Sequence, residues 1–228
     1  MARLGVIKNS VLIIILLIIF SCRDNKHPQN TFLTPSKKQT INVPLFNSDS
    51  AYTYVSDQVE FGSRVPNSEA HEKCHGYLVK TLERFGASVI TQSDIVRRYD
   101  GLKMQMKNII ATFNPTSNKR VLLCAHWDSR FTADNDVFNI DQPILGANDG
   151  GSGVGVLLEI ARQISLNKID LGVDIILFDV EDQGPPNNEN NQTPHAWCLG
   201  SQYWAMNPHV DNYFADYGIL LDMVGGGA

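Results

Sequence analysis

Residues 121–130 read Val-Leu-Leu-Cys-Ala-His-Trp-Asp-Ser-Arg, an apolar run that ends abruptly in a histidine and an aspartate. Residues 173–182, Val-Asp-Ile-Ile-Leu-Phe-Asp-Val-Glu-Asp, follow a similar plan and end in an acidic pair. Short apolar runs of this length are typical of buried strands. In α/β sheets, ligands bind beyond the carboxyl ends of the strands, so the polar residues that end these two runs are candidate site residues.

The chain on either side of these runs predicts an α/β domain with a mixed, mostly parallel sheet flanked by helices. Apolar residues recur at helical spacing in two segments and form short strand-like runs in three others. These are residues 67–85 and 150–166 for the helices, and 89–99, 106–113 and 217–224 for the strands. The first two of these strands are expected to form a hairpin that turns at Asp100-Gly101.

Composition and charge describe a folded, mildly acidic protein. The sequence is 43% hydrophobic and carries a formal charge of −5. Its length of 228 residues is enough for one domain and an export signal. The basic residues are scattered rather than clustered, so we expect no nucleic-acid partner. We also expect a monomer.

The N-terminus predicts export from the cytoplasm. Arg3 and Lys8 precede an apolar run over residues 11–20. This run is shorter than the ~20 apolar residues of a transmembrane helix, and its flanks fit a secretory signal.

Residues 19–22, Ile-Phe-Ser-Cys, resemble a bacterial lipoprotein box, in which Cys22 becomes the lipidated first residue of the mature protein. The alternative is a plain signal peptide with a chance cysteine. We therefore expect a signal peptide over 1–22, a polar linker over 23–45 and the catalytic domain over 46–228. The expected location is the periplasmic side of a bacterial membrane or the cell surface, with the lipid holding the protein to the membrane.

Acidic residues and one histidine follow the apolar runs or precede the second helix. The candidates are His126, Asp128, Asp149, Glu181, Asp182 and Asp222. Like charges that converge at one edge of a sheet are costly unless a cation neutralises them. Carboxylate and imidazole groups suit zinc, so the pattern predicts a zinc site.

Each candidate also has an ordinary structural interpretation. Asp149 could be a helix N-cap, Glu181 and Asp182 a solvated pair, and His126 a donor to a backbone carbonyl. Asp222 lies among apolar neighbours, where burial of an unpaired carboxylate is expensive. The joint pattern favours a metal site over these separate explanations.

Four blocks, with a fifth near the start of the domain, resemble the zinc-dependent aminopeptidases and the glutaminyl cyclases that share their fold. They are Ala-His-Trp-Asp-Ser-Arg (125–130), Gly-Ala-Asn-Asp-Gly-Gly-Ser-Gly (146–153), Phe-Asp-Val-Glu-Asp (178–182), Leu-Leu-Asp-Met-Val-Gly (220–225) and Phe-Gly-Ser-Arg-Val-Pro (61–66). The resemblance implies a zinc aminopeptidase-like (phosphorylase/hydrolase-like) fold.

The resemblance also implies two arrangements of metal ligands. In the aminopeptidases, His126, Asp149 and Asp222 would hold one zinc, and Asp149, Asp182 and a distal histidine a second. In the animal-type cyclases only the second site is filled, and the counterparts of His126 and Asp222 serve in hydrogen bonding. We therefore expect Asp149 and Asp182 as ligands of one zinc, with His126 and Asp128 either supporting that ion or holding another.

Two features favour a glutaminyl cyclase of the animal type found in bacteria. The usual Glu-Glu pair is Glu181-Asp182 here, and residues 197–205 resemble the bacterial members of that group. The expected substrates are peptides with an N-terminal glutamine. The resemblance implies that Glu181 carries the proton and that Asp222 holds a hydrogen bond to the reacting groups. Trp197 would line the substrate pocket, with core packing as its alternative. A zinc aminopeptidase and a non-catalytic peptide-binding lipoprotein remain open.

The sequence ends six residues after Asp222, and no distal histidine follows. His195 and His209 do not lie where the resemblance places that ligand. We therefore expect a C-terminally truncated version of a longer enzyme. With Cys22 lipidated, Cys74, Cys124 and Cys198 remain. These three cysteines allow one disulfide, and the sequence does not indicate which two form it.

Overall fold

The computed structural model describes residues 43–187 and 194–226. The predicted signal peptide, Cys22 and all but the last three residues of the linker lie outside these ranges and stay predictions. None of the described helices combines the length and the apolar character needed to cross a bilayer.

The described chain folds into four α-helices, five strands and one short 3₁₀ turn. In chain order the elements are α1 (Ser48–Glu60), α2 (Glu69–Arg84), β1 (Ser88–Arg97), β2 (Lys103–Phe113), β3 (Arg120–His126), α3 (Gly151–Leu166), β4 (Gly172–Phe178), the 3₁₀ turn (Pro194–Ala196), α4 (Leu199–Met206) and β5 (Tyr217–Leu220). Two of the helices and four of the five strands agree with the predicted segments to within a few residues.

The five strands form one sheet in the order β1-β2-β4-β3-β5. Strand β3 runs parallel to both β4 and β5, whereas β2 runs antiparallel to β1 and β4. The predicted mixed α/β fold is confirmed. Because only β2 is reversed, four strands share one direction, although two of the four neighbouring pairs are antiparallel.

The core lies between the sheet and the helices α2 and α3. Every residue of β4 is buried, as its uninterrupted apolar run suggests. Helix α3 contributes Val154, Leu157 and Leu158, each fully buried, and α2 contributes Leu78 and Leu82. Burial of a leucine side chain stabilises a fold by about 1.5–3 kcal/mol, so these two helices fix the sheet that positions the site.

Helix α1 was not predicted because its sequence is mostly polar. Its amino end is capped by Asn47, whose side chain accepts a hydrogen bond from Ser50 N at 2.9 Å. The helix then packs against α3, where a Cβ on Gly155 would lie 2.8 Å from the carbonyl oxygen of Ala51. Contact with α3 therefore helps to hold this helix in place.

Strand β5 differs from its prediction in length and burial. It ends at Leu220 instead of continuing to residue 224, and all four of its residues are exposed. It lies at the outer edge of the sheet and pairs only with β3 among the described strands. Although the sequence of β5 is apolar, its residues are therefore not buried by the described part of the chain.

The three described cysteines, Cys74, Cys124 and Cys198, are free thiols. The single disulfide that the sequence allows is not formed among them.

We expect Gly200→Ala to lower the free energy of unfolding by about 3 kcal/mol, because a Cβ at this position would overlap the carbonyl oxygen of Asp179 and the amide oxygen of Asn108. A backbone oxygen cannot rotate away as a side chain can. Urea denaturation would measure the loss. The matched control is Gly76→Ala in α2, where nothing lies within 4 Å of the added atom, and there we expect a gain of about 0.5–1 kcal/mol. Equal stability of the Gly200→Ala protein and the unmodified protein would contradict the close packing of α4 on Asp179.

Candidate active site

Parallel pairing brings the carboxyl ends of β3 and β4 together. His126 lies opposite Phe178 in the register, and Trp127 N donates to Phe178 O at 3.0 Å. The fully buried Asp128 then joins the two strand ends: its carboxylate accepts from Glu181 N at 3.1 Å and from Asp182 N at 3.2 Å. The acidic pair is thus fixed in place by an aspartate that follows the neighbouring strand.

Asp128 acts as a fixed anion. Burial opposes its ionisation, but the His126 ring and the donors from Gln183 and the Glu181 backbone outweigh that cost and hold the pKa of Asp128 below its usual value. Its second role is to orient His126, whose Nδ1 lies 3.4 Å from Oδ1. Asp128 therefore lies beneath the site and contacts both His126 and the acidic pair, while its two predicted roles, in support of one ion or as a ligand of another, stay predictions.

The glycine-rich loop brings Asp149 to the same sheet edge. Gly150 has a φ of 81°, and a Cβ there would lie 2.8 Å from Asp128 O and 3.0 Å from His126 Cε1. Only glycine lets the loop approach this closely. Helix α3 begins directly after Gly150 and has no side-chain cap, so the interpretation of Asp149 as an N-cap is wrong.

His126, Asp149 and Asp222 converge on one point. Each offers one ligand atom, and these atoms lie within 4.8 Å of one another. Asp149 Oδ1 is 2.9 Å and Asp222 Oδ1 3.6 Å from His126 Nε2. The Nε2 atom is buried yet makes no hydrogen bond, because its contact with Asp149 lacks hydrogen-bond geometry. An orphaned imidazole nitrogen between two carboxylates is a donor set that fits a divalent zinc ion.

The Asp222 side chain is 46% exposed, so the expectation that it is a buried carboxylate is wrong. The physical reason is the position of β5, which is the exposed outer strand that leads into Asp222. The aspartate reaches the site from the side and needs no burial to do so.

Asp182 is buried next to this cluster, and its Oδ2 makes no hydrogen bond. Burial, followed by the nearby charges of Asp149 and Asp128, raises the pKa of Asp182 to about 8. A cation bound beside this carboxylate would reverse that effect and favour the charged form. Asp182 thus fits a metal ligand, although it lies outside the three-residue convergence.

His126 shows the complementary effect. Burial opposes its charged form, but the nearby carboxylates of Asp128 and Asp149 favour that form and raise the pKa of His126 well above its ordinary value. A proton and a metal ion therefore compete for the same nitrogen, as is usual for imidazole ligands.

Glu181 is the candidate proton carrier. Its Oε2 lies 3.8 Å from His126 Nδ1, and its side chain is 28% exposed. It lines a cavity of about 70 Å³ together with Phe178, Leu220 and Asp222. Burial raises the pKa of Glu181, which brings a carboxyl group closer to the range useful for proton exchange at neutral pH.

Residues 108–228, more than half of the chain, match the sequence profile of Peptidase family M28. The chain belongs to Peptidase family M28. This M28 chain is 57% identical to a zinc-dependent exopeptidase from Parabacteroides distasonis, with a TM-score of 0.79 over 81% of this chain and 64% of that one. It is 54% identical to a Bacteroides thetaiotaomicron glutaminyl cyclase solved with N-acetylhistamine, with a TM-score of 0.79 over 80% and 64% of the two chains.

Among curated relatives, the M28 chain is 26% identical to the bovine glutaminyl-peptide cyclotransferase over 184 residues, which are 71% of this chain and 48% of the relative. It therefore spans about half the length of that relative and 64% of the two solved structures named above. The predicted resemblance and fold are confirmed by these matches, and they support zinc as the metal of the family M28 site.

Trp197 of this M28 protein does not line the cavity beside Glu181. It is partly buried, and its ring lies 4.7 Å from the guanidinium of Arg130. Arg130 in turn borders an open cleft of about 390 Å³, which Asp134 and Asp149 also line. Trp197 thus contacts a residue that lines this cleft but is not among the lining residues itself. Its predicted contact with substrate stays a prediction.

Two arginines that organise the M28 site received no role from the sequence. Arg64 is fully buried and donates to the carbonyl oxygens of Trp127 at 3.0 Å, Leu145 at 2.7 Å and Gly146 at 2.7 Å. It therefore joins the segment that follows His126 to the loop that carries Asp149. Arg130 contacts Asp182. Both arginines donate mostly to backbone oxygens, and such contacts leave no pattern in a sequence. The sequence indicated these arginines only through their position in the motifs at residues 61–66 and 125–130.

Proposed function

We propose that the protein is a zinc-dependent glutaminyl-peptide cyclotransferase, which converts the N-terminal glutamine of peptides to pyroglutamate with release of ammonia. The observation that carries this proposal is the position of Glu181, a carboxyl of raised pKa that borders a small, mostly apolar cavity next to the metal-fitting cluster. The similarity to bacterial glutaminyl cyclases supports the same activity.

The reaction needs one group that takes a proton and returns it. The substrate α-amine attacks the γ-carbonyl carbon, a C–N bond forms, and the bond to the side-chain nitrogen breaks. Glu181 takes the proton from the attacking amine and gives it to the departing ammonia, so no water is consumed. Asp222, which lines the same cavity, accepts a hydrogen bond from the amine and holds it near Glu181.

Asp149 and Asp182 would hold the zinc, with His126 and Asp222 beside them. Bound zinc supplies Lewis-acid polarisation of a carbonyl oxygen. Burial of Asp128 beneath the cluster keeps the acidic pair in position before substrate arrives.

A zinc aminopeptidase is the second candidate. The observation that favours it is the convergence of His126, Asp149 and Asp222, which forms a ligand set without Asp182. In that case Glu181 would take a proton from an attacking water instead of an amine. The similarity to a zinc-dependent exopeptidase supports this alternative.

Product mass separates the candidates. The zinc-loaded protein is incubated with two peptides that differ only in their first residue, glutamine or leucine, and the products are weighed. A loss of about 17 mass units from the glutamine peptide alone, one ammonia, supports the cyclase. Release of the whole first residue from the leucine peptide supports the aminopeptidase. Binding without any change of mass would indicate the third alternative, a peptide-binding lipoprotein, and would contradict both enzymatic proposals.

We also propose that the protein works outside the cytoplasm, attached to a membrane through a lipid on Cys22. The signal-like sequence over residues 1–22 supports this location. Growth of expressing bacteria with labelled palmitate should label the full chain, and Cys22→Ser should remove the label. Label retained in the variant would rule out this anchor.

A further inference from the structure

The thiol of Cys198 contacts the candidate proton carrier. Cys198 Sγ lies 3.1 Å from Glu181 Oε1, and both residues line the cavity of about 70 Å³. Cys198 is a free thiol, so its proton is available for donation. Neither the metal cluster nor the proposed proton transfer assigns this side chain a role.

The backbone around this contact is fixed on both sides. The N–H groups of Cys198, Leu199 and Gly200 donate in turn to the carbonyl oxygens of Glu181, Val180 and Asp179, at 2.9, 2.9 and 3.1 Å. The start of α4 is therefore joined to the segment after β4 residue by residue. The thiol is placed against Glu181 by three hydrogen bonds and not by a flexible loop.

Two residues of this junction are in the left-handed region although neither is glycine. Val180 has a φ of 52° and Cys198 a φ of 56°. Such conformations cost on the order of 1–3 kcal/mol each and persist only where the surroundings impose them. Val180 is fully buried, so packing as well as hydrogen bonding imposes the conformation. The strain lies directly beside Glu181.

The two carboxyl oxygens of Glu181 are consequently distinguished. Oε1 accepts from the thiol, whereas Oε2 lies 3.8 Å from Nδ1 of His126, the residue whose Nε2 belongs to the metal cluster. Burial and the neighbouring Glu181 raise the pKa of the Cys198 thiol to about 12, in keeping with a thiol that remains protonated. A protonated thiol is a weak donor and not a nucleophile.

We propose that Cys198 is a positioning residue, whose thiol holds Glu181 Oε1 so that Oε2 faces the reacting groups. This inference rests on the proposed function, because it assumes that Glu181 exchanges the proton. It applies to the cyclase and to the aminopeptidase alike, since both use the same carboxyl group.

The kinetic test compares Cys198→Ala with Cys198→Ser. Loss of the donor in Cys198→Ala should lower kcat about tenfold with little change in KM, because a hydrogen bond to a charged group is lost without removal of a substrate contact. Cys198→Ser retains a donor and should recover most of the kcat. The matched control is Cys74→Ala, which removes a fully buried thiol from α2 and should lower stability without changing kcat. A Cys198→Ala protein with unchanged kcat would overturn the proposal.

A spectroscopic test needs no turnover and therefore separates this inference from the proposed function. The S–H stretching band of Cys198 is identified by infrared difference between the unmodified protein and Cys198→Ser, with Cys74 and Cys124 as internal references. The band should lie at lower frequency than that of a free thiol and should move up in Glu181→Ala. A band that does not respond to Glu181→Ala overturns the inference, even if the peptide assay shows cyclase activity. A band that responds in a protein without turnover would confirm the contact and contradict only the enzymatic proposals.

Discussion

Glu181→Gln is expected to reduce turnover of a glutamine-initiated peptide by about 10³-fold or more, because a general acid–base group contributes about 10²–10⁴-fold and the amide cannot exchange the proton. The substitution preserves the shape of the side chain. The two backbone hydrogen bonds of residue 181, from its N–H to Asp128 and from Cys198 N–H to its carbonyl oxygen, are unaffected, and the side-chain amide oxygen can still accept from the Cys198 thiol. Ammonia release measures the rate.

The same variant should still bind zinc. Glu181 is not one of the three residues whose ligand atoms converge, and the metal content of the purified protein can be measured by atomic absorption. Glu83→Gln, at an exposed position of α2, is the matched control and should have normal turnover. If Glu181→Gln retains full turnover with zinc bound, Glu181 has no place in the mechanism and the Cys198 inference loses its purpose.

Arg130→Met is expected to lower the free energy of unfolding by about 3–5 kcal/mol, the usual cost of removing one partner from a buried ion pair. Its side chain is 8% exposed and donates to Asp134 Oδ2 at 2.5 Å, while Asp134 and Asp182 are themselves 9% and 10% exposed. The variant would leave both carboxylates without their arginine. Urea denaturation followed by circular dichroism measures the change.

Arg130 has further contacts that a lysine cannot replace. Its guanidinium also donates to the carbonyl oxygens of Asp182 at 3.1 Å and Pro185 at 3.2 Å. Arg130→Lys retains the charge but loses the planar guanidinium with its several N–H donors. We therefore expect an intermediate loss of stability and a change in the fluorescence of Trp197, whose ring contacts Arg130. Arg84→Met, on the exposed end of α2, should have almost no effect on stability. An Arg130→Met protein within about 1 kcal/mol of the unmodified protein would mean that the buried pair contributes little.

The sequence predicted the site best where a polar or charged residue directly follows a buried parallel strand. Buried strands such as β4 have an unbroken apolar run, and parallel strands end at one edge of a sheet, so the meeting of His126 and Glu181 could be predicted from the ends of two runs. The position of Asp149 just before the second helix likewise made it a candidate ligand. These inferences needed only the direction of each strand and the residue that follows it.

Other features depend on contacts between distant parts of the chain. Arg64 bonds to the carbonyl oxygens of residues more than sixty positions away, and the Cys198 thiol meets Glu181 across seventeen positions. Neither contact produces a periodic pattern. For Asp222 the prediction itself was wrong. Its apolar neighbours predicted a buried side chain, but the strand that precedes it lies at an exposed edge of the sheet. Exposure is decided by what packs on a strand, which local sequence does not contain.

The loop between β2 and β3, residues 114–119, lies at the amino ends of β3 and β4, where Arg120 pairs with Gly172. Strand β4 is seven residues long, so about 20 Å of sheet separates this loop from the edge that carries the candidate site. Asn118 and Lys119 on the loop are exposed. Molecules coupled to a sensor surface or resin through Asn118→Cys would therefore share one orientation, with the cavity facing a flowing solution of peptide.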